Sequence, residues 1–466
     1  MLRNMQRFLS NIVFKPRQDV YRFVILGIIL IASIMRIKFY GDPNLSIAGN
    51  DTLSYVESSQ VPLFSSEMMT GRRLLTTNLL YKIFEPKEGY QILVNGSIAT
   101  VRRDFQPGFN NIVITQLIFS IIGWGFLALS ISENIKNPFM KIMSSIMIIL
   151  FAFTPQMADW DSILMSESLT FSLFALQLAI LTKLAFLIYE DQNQKISAYF
   201  IVWAILFFLW TFLRDTNLFT SFVTVGMIVI LLFSIRYRKN KHLYSILAFV
   251  TVILFLGLTT SSSSTRSRVQ LVNIYNDDLL RSPASVSTLK ELGMPAPHSP
   301  HYKRWFRENA SKTLIKFMFI HPGYPALKIM KDFPQAFTEI KQTYFKAPEY
   351  AQTRELLMTL GNALHPENTT PFLLDLILLF GLILLAAKNT NEASLPWAWL
   401  GIWLFLTATI TLIPTILGDT WALNRHALFS TMIYRLFMWV FSIVILDIAI
   451  EESNQKRTFS QNKSSQ

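Results

Sequence analysis

Side chains able to do chemistry concentrate in a few short stretches of this chain. The densest, Asp159-Trp160-Asp161-Ser162-Ile163-Leu164-Met165-Ser166-Glu167, puts two Asp and one Glu in nine residues between the apolar runs 142–153 and 169–188. Carboxylates beside membrane-length apolar runs are costly unless they line a cavity or find a partner, so Asp161 and Glu167 are candidate catalytic groups. Capping of the following helix accounts for one of the three but not for all. A cation could gather them. With no His beside them, such an oxygen set suits Ca²⁺, Mg²⁺ or Mn²⁺ rather than zinc.

Four further places carry candidates. Asp51 stands about a dozen residues past the first apolar run; it caps a helix, or it is a general base for an acceptor hydroxyl, a role that needs a pKa raised by partial burial. Arg72 and Arg73 offer guanidinium forks suited to phosphate oxygens. Arg214-Asp215 closes another apolar run, where the ordinary reading is an ion pair at a membrane surface and the functional one adds Arg214 to the phosphate ligands. Gly418-Asp419 through Arg425-His426 directly precedes the last apolar run, and a helix N-terminus there favours an anion such as phosphate. Arg435, inside that run, is expected to pair with a carboxylate of the bundle. His298, His301, His321 and His365 lack metal-ligand spacing and read as structural.

The elements that must position these groups are membrane helices. The 466 residues are 52% hydrophobic and only 15% charged, with mean hydropathy +0.37, which is a polytopic membrane composition. The net charge of +12 is not a nucleic-acid footprint, because its densest cluster, Arg236–Lys241, abuts apolar runs where cytoplasmic loops belong. The absence of Cys excludes disulfides, thiol catalysis and zinc–thiolate sites. Residues 1–22 are basic, an apolar stretch follows and no small-residue cleavage site does, which reads as a signal anchor; residues 1–18 have the amphipathic pattern of a helix on an anionic inner leaflet.

A crossing helix needs about 20 apolar residues, and ten stretches qualify: 21–39, 112–132, 141–157, 166–189, 197–213, 218–236, 243–261, 371–387, 395–416 and 428–449. The expected fold is thus all-α and polytopic. Placing Arg236–Lys241 in the cytoplasm of a plasma (inner) membrane puts both termini there, together with Lys136, Lys141, Lys195, Lys456 and Arg457. Every unusual polar cluster then falls on the outer face. The expected organisation is a membrane module 1–261 whose first outer loop, 40–111, carries Asp51; an outer, mainly helical segment 262–370, with helices at 304–320 and 325–345; and closing membrane helices with a cytoplasmic tail, 371–466. A surface helix is expected at about 70–82, and Asn95-Gly96 signals a hairpin. Neither GxxxxGK[ST] nor GxGxxG occurs, so nucleotide binding through these motifs is not expected.

These residues resemble the GT-C class of integral membrane glycosyltransferases, which includes the protein O-mannosyltransferases and the aminoarabinose transferases of lipid A. Asn50-Asp51 occupies the place of that class's acidic residue in the first outer loop. Gly71-Arg72-Arg73-Leu74 through Tyr81-Lys82 is similar to its surface helix without the usual prolines, Trp160 through Leu169 to its second acidic loop, Trp210 through Asn217 to another recurrent loop, and Gly418-Asp419 through Arg425-His426 to a late signature of bacterial members. The paired Asp-Glu of the mannosyltransferases and the Trp-Trp-Asp of oligosaccharyltransferases are absent, so the substrate does not carry over. The resemblance implies a polyprenyl-phosphate sugar donor, an extracytoplasmic glycan, lipid or protein acceptor, and no cofactor beyond an optional divalent cation. It implies Asp51 as base, with Arg72, Arg73, Arg425 and His426 on the lipid phosphate, and Asp161 and Glu167 orienting sugar hydroxyls or holding His426 or an Arg. Two competing readings are a lipid-linked glycan flippase or transporter, which requires charges on both faces and near mid-membrane, and a polysaccharide polymerase using diphosphate-linked oligosaccharides.

Overall fold

The protein is described by a computed structural model covering residues 16–39, 43, 45–49, 51–92, 106, 108–264, 266, 268–340, 351–388 and 393–464. The amphipathic stretch before residue 16 and the Asn95-Gly96 hairpin lie outside these residues. Helix α1 is Pro16–Phe39. The following loop holds three short helices, α2 Thr52–Ser59, α3 Glu67–Thr70 and α4 Leu75–Ile83. Then come α5 Asn110–Asn134, α6 Pro138–Phe153, α7 Pro155–Ala158, a 3₁₀ turn Asp159–Ser162, α8 Glu167–Tyr189, α9 Asn193–Thr211, α10 Phe219–Phe233 and α11 Lys241–Ser263. An outer group α12 Arg268–Asn273, α13 Pro283–Glu291, α14 Tyr302–Ile320, α15 Gly323–Ala336 and α16 Ala351–Leu364 precedes the last three, α17 Thr370–Lys388, α18 Ser394–Gly418 and α19 Leu423–Ser464.

Among the described residues nine helices are long and apolar enough to cross a bilayer, or ten if α6 and the segment Pro155–Ser162, bent 57° away from it, form one broken span. The chain is an all-α polytopic membrane protein. The break has a local cause: Pro155 has no N–H and forces the preceding residue out of helical geometry, and Thr154 is extended at φ −68°, ψ 153°. The acidic turn is therefore swung off the axis of α6.

Helix α8 is apolar on every side and buried over most of its length. It packs chiefly against α5 and α9, while α18 packs against α19. The approach of α5 to α8 requires a missing side chain, because a Cβ on Gly123 would lie 2.6 Å from the Ser172 carbonyl oxygen. The expected surface helix at 70–82 is instead two short helices broken at Gly71, where a Cβ would meet the Glu67 carbonyl oxygen at 2.5 Å.

Two buried charges hold the bundle ends. Asp447 of α19 accepts the backbone N–H groups of Lys136 and Asn137 at 2.9 and 2.7 Å, fixing the turn into α6. Among the described residues Arg435 hydrogen-bonds no carboxylate, contrary to expectation; it donates to the carbonyls of Phe337 (2.8 Å) and Pro366 (2.9 and 3.0 Å). Those oxygens follow the last turns of α15 and α16, where helix carbonyls lack intrahelical partners and carry partial negative charge. Outside the bundle, α12 to α15 and the π-turn Ile274–Leu279 enclose a second apolar core around Tyr275, Leu289, Trp305 and Phe317. The helix expected at 304–320 is α14, and the one expected at 325–345 is the shorter α15.

Candidate functional site

Asp51 is positioned by a strand-like clasp. Ile47 forms a parallel bridge with Ile163, donating its N–H to the Ser162 carbonyl (2.8 Å) and accepting the Leu164 N–H (2.9 Å). Thr52 adds a hydroxyl bond to the Leu164 carbonyl at 3.0 Å, the Tyr55 hydroxyl accepts the Ser166 N–H at 3.3 Å, and Gln116 of α5 donates to the carbonyls of Asp161 and Ile163. The loop between α1 and α5 and the acidic turn are thus one unit, which brings Asp51, at the start of α2, to the N-terminus of α8, where Glu167 stands.

Asp51 sits at the N-cap of α2 but makes no side-chain cap bond, so capping does not explain it. Its carboxylate instead accepts from Arg425 at 2.8 Å and faces Arg73 at 3.3 Å. Arg73 is held in turn by Ser54 and by the face of Tyr55, 4.0 Å from the ring centroid. The Arg425 Nε lies 3.9 Å from Glu167 Oε1. Glu167 is almost wholly buried, at 3% exposure of its side chain against 35% for Asp51, and its Oε2 has no hydrogen-bond partner among the described residues. One guanidinium thus lies between a half-open and a closed carboxylate.

Behind Arg425 a second layer fixes its direction. Arg425 can only donate, so at the 3.0 Å contact with His426 Nε2 the imidazole nitrogen accepts. The ring proton is then on Nδ1 and donates to Asp419. Asp419 also accepts the N–H groups of Thr420 and Trp421 at 3.0 and 3.2 Å, tying the loop into α19. Just before that helix Ala422 adopts φ +49°, a left-handed conformation in which non-glycine residues store strain.

Two carboxylates, Asp51 and Glu167, here face two guanidiniums, Arg73 and Arg425, and Asp419 joins through His426. The upward pKa shift expected for Asp51 is reversed: burial pushes its carboxyl up, but Arg425 and Arg73 pull harder and hold it below the ordinary value of 3.8.

The other sequence candidates separate. Arg72 is exposed and pairs with Glu57 at 2.5 Å, turned away from Asp51. Arg214 is half-exposed, and its expected partner Asp215 is forked instead by Arg266 at 2.8 and 2.9 Å. Asp161 is buried against Arg36 of α1 and accepts the Ser168 hydroxyl at 2.6 Å. Its partner is therefore an Arg of α1 and not one of the Asp51 cluster. His365 is buried between the Phe151 carbonyl and Thr154. Among the described residues no group of three or more His, Asp or Glu is arranged to hold a metal ion.

Arg36, a basic residue in the last turn of α1, is not among the candidates that the sequence singles out. The available signal was an ionisable residue still inside a continuous helix, where a buried partner is the rule. Asp375 of α17 is not among them either; it is fully buried with neither oxygen hydrogen-bonded among the described residues, although the middle of most membrane runs is free of charge.

No protein-family model and no curated protein matches the sequence. Among solved structures, the archaeal oligosaccharyltransferase AglB from Archaeoglobus fulgidus, in complex with an inhibitory peptide and a dolichol-phosphate, overlaps at a TM-score of 0.46 and 11% identity, over 95% of this chain and 52% of that one. The Archaeoglobus fulgidus oligosaccharyltransferase with Zn and sulfate gives 0.42 and 10%, over 93% and 51%, and its apo form gives 0.42 and 11%, over 94% and 52%. The chain spans about half the length of these proteins.

Proposed function

We propose that the chain is a membrane glycosyltransferase that moves a monosaccharide from a polyprenyl-phosphate donor to a glycan, lipid or protein acceptor on the non-cytoplasmic face. The observation that supports this most is the Arg425–Asp51 contact at 2.8 Å between residues 374 positions apart, with Glu167 and Arg73 on the same two groups. Base and phosphate ligand are thereby in one half-open cluster at a membrane rim.

The electrostatics suggest how the base is switched on. Both cations already share Asp51, so a donor phosphate must take Arg425 and Arg73 from it. Once the phosphate neutralises them, burial is the dominant influence left on Asp51, and its carboxylate becomes the stronger base that general catalysis needs. Asp51 then takes the acceptor hydroxyl proton and the acceptor oxygen bonds the anomeric carbon. The carbon–oxygen bond to phosphate breaks with inversion, its electron pair leaving on polyprenyl phosphate, which the two guanidiniums stabilise. Glu167 keeps Arg425 in place when Asp51 lets go, and the Asp419–His426 pair fixes its direction.

The cluster lies at the end of α8 opposite the basic turn Arg236–Lys241, so the positive-inside rule puts the site outside the plasma membrane and, counted over ten spans, both termini inside. The experiment is transfer of label from radiolabelled polyprenyl-phosphate sugar in membranes carrying the protein. Transfer lost in Asp51→Asn with folding intact supports the reading; transfer only from diphosphate-linked oligosaccharide replaces it with a polymerase.

A further inference from the structure

One groove lies at the end of α8 away from the Asp51 cluster. Helix α8 spans 23 residues from Glu167 to Tyr189, about 34 Å at 1.5 Å per residue, and the groove is at its Tyr189 end, between α8, α9, α10, α11 and the start of α18. It holds about 610 Å³ of unfilled space open to its surroundings, and its wall is almost entirely apolar, including Leu184, Ala185, Leu243, Tyr189, Tyr237 and Trp399.

Two features give the groove a polarity that packing alone does not explain. Arg236 stands over the two tyrosines of the wall, 4.3 Å from the Tyr189 ring centroid and 5.4 Å from that of Tyr237, with its side chain exposed. Arg238, Lys239 and Lys241 are exposed beside it, while the acidic neighbours Glu190 and Asp191 are engaged by Gln192 and Asn193. Within the wall, the indole N–H of Trp399 is closed to solvent and has no hydrogen-bond partner among the described residues.

We infer that this groove is a binding site for one acyl chain of an anionic glycerophospholipid, whose phosphate is met by Arg236 and its basic neighbours. The chemistry is that of a snorkelled cation over an apolar slot, and it is separate from the Asp51 cluster: the guest is a resident lipid, not the sugar donor. The inference stands whether or not the transferase reading does.

The test is thermal unfolding of the purified full chain in nanodiscs of phosphatidylcholine, titrated with phosphatidylglycerol and separately with polyprenyl phosphate. Phosphatidylglycerol is expected to raise the midpoint saturably. Arg236→Gln should weaken its apparent affinity about fivefold, the share of one basic residue at an anionic surface, and Ala185→Trp should abolish the effect by filling the slot. Because the tryptophan variant can fail to fold, wild-type protein is also labelled with phosphatidylglycerol carrying a photoreactive acyl chain, with adducts expected on peptides 181–189 and 395–399. Equal midpoints in both phospholipids, adducts confined to other helices, or stabilisation by polyprenyl phosphate alone, which the Asp51 cluster already accounts for, would each overturn the assignment.

Discussion

Replacing Asp161 with Leu leaves the Arg36 guanidinium buried without its counter-ion, and replacing Arg36 leaves the carboxylate in the same position. Both side chains are almost closed to solvent, at 5% and 7% exposure, and breaking a buried pair from one side costs about 3–5 kcal/mol. At roughly 2 cal/mol/K of unfolding entropy per residue, a chain of 466 residues moves its midpoint by about 1 °C per kcal/mol, so each single variant should melt about 3–5 °C lower. The double variant Arg36→Leu/Asp161→Leu exchanges the pair for apolar side chains, leaving the Ser168 hydroxyl to find another acceptor, and exchanges of buried pairs for apolar residues are often neutral. Its midpoint should return to within about 2 °C of wild type, and its transfer rate per folded molecule should be near that of the parent. The assay is thermal unfolding in nanodiscs alongside the radiolabel transfer. A double variant destabilised by the sum of the singles refutes the pairing argument. An Asp161→Leu protein with normal melting and no transfer would instead make Asp161 a group that acts on substrate.

Other consequences follow from the same contacts. Asp51→Asn should lower the transfer rate by about 10²–10⁴-fold, the range for loss of a general base, while binding polyprenyl phosphate at least as tightly, since Arg425 no longer has a charged competitor; equal loss of binding would assign Asp51 to donor capture. Burial holds the His365 imidazole down at about 3, well below its unfolded value near 6.5, so its stabilising contribution is complete above pH 6.5 and is lost as pH falls towards 3. Melting midpoints should therefore decline below pH 6.5, and His365→Gln should flatten that decline. The Asp51 contribution, with its pKa held below 3.8, should be lost only at lower pH. Gly123→Ala forces a Cβ to 2.6 Å from a backbone oxygen and should cost about 1–3 kcal/mol. Gly226→Ala, with nothing within 4 Å, should be neutral or stabilising in the same melting assay.

The difference between Asp51 and Asp161 explains which parts of the site were legible. Both are short acidic side chains in polar turns beside apolar runs, and residue type and spacing rank them alike. They part because the Thr154-Pro155 break turns the 3₁₀ segment under α1, where Asp161 meets Arg36, while the Ile47–Ile163 bridge lifts Asp51 to the rim. Arg72 and Arg73 are adjacent in sequence and diverge for a similar reason. The Gly71 turn sends one to Glu57 in solvent and lays the other across Tyr55 towards Asp51. No periodicity distinguishes neighbours in such a turn.

The sequence by itself determined the membrane architecture, because long apolar runs in a chain without enough polar side chains to solvate them have no stable home but a bilayer, where only helices satisfy the backbone. It also determined which residue types were available for phosphate and proton chemistry, and placed Arg425 and His426 in the first turns of the last helix. What only the tertiary structure decided was who meets whom: that Arg425 lies between Asp51 and Glu167, that Arg36 claims Asp161, and that Arg435 serves helix-end carbonyls rather than a carboxylate. Those pairings span up to 374 positions of chain and depend on ångström-level approach of helices, which a pattern of residue types does not encode locally.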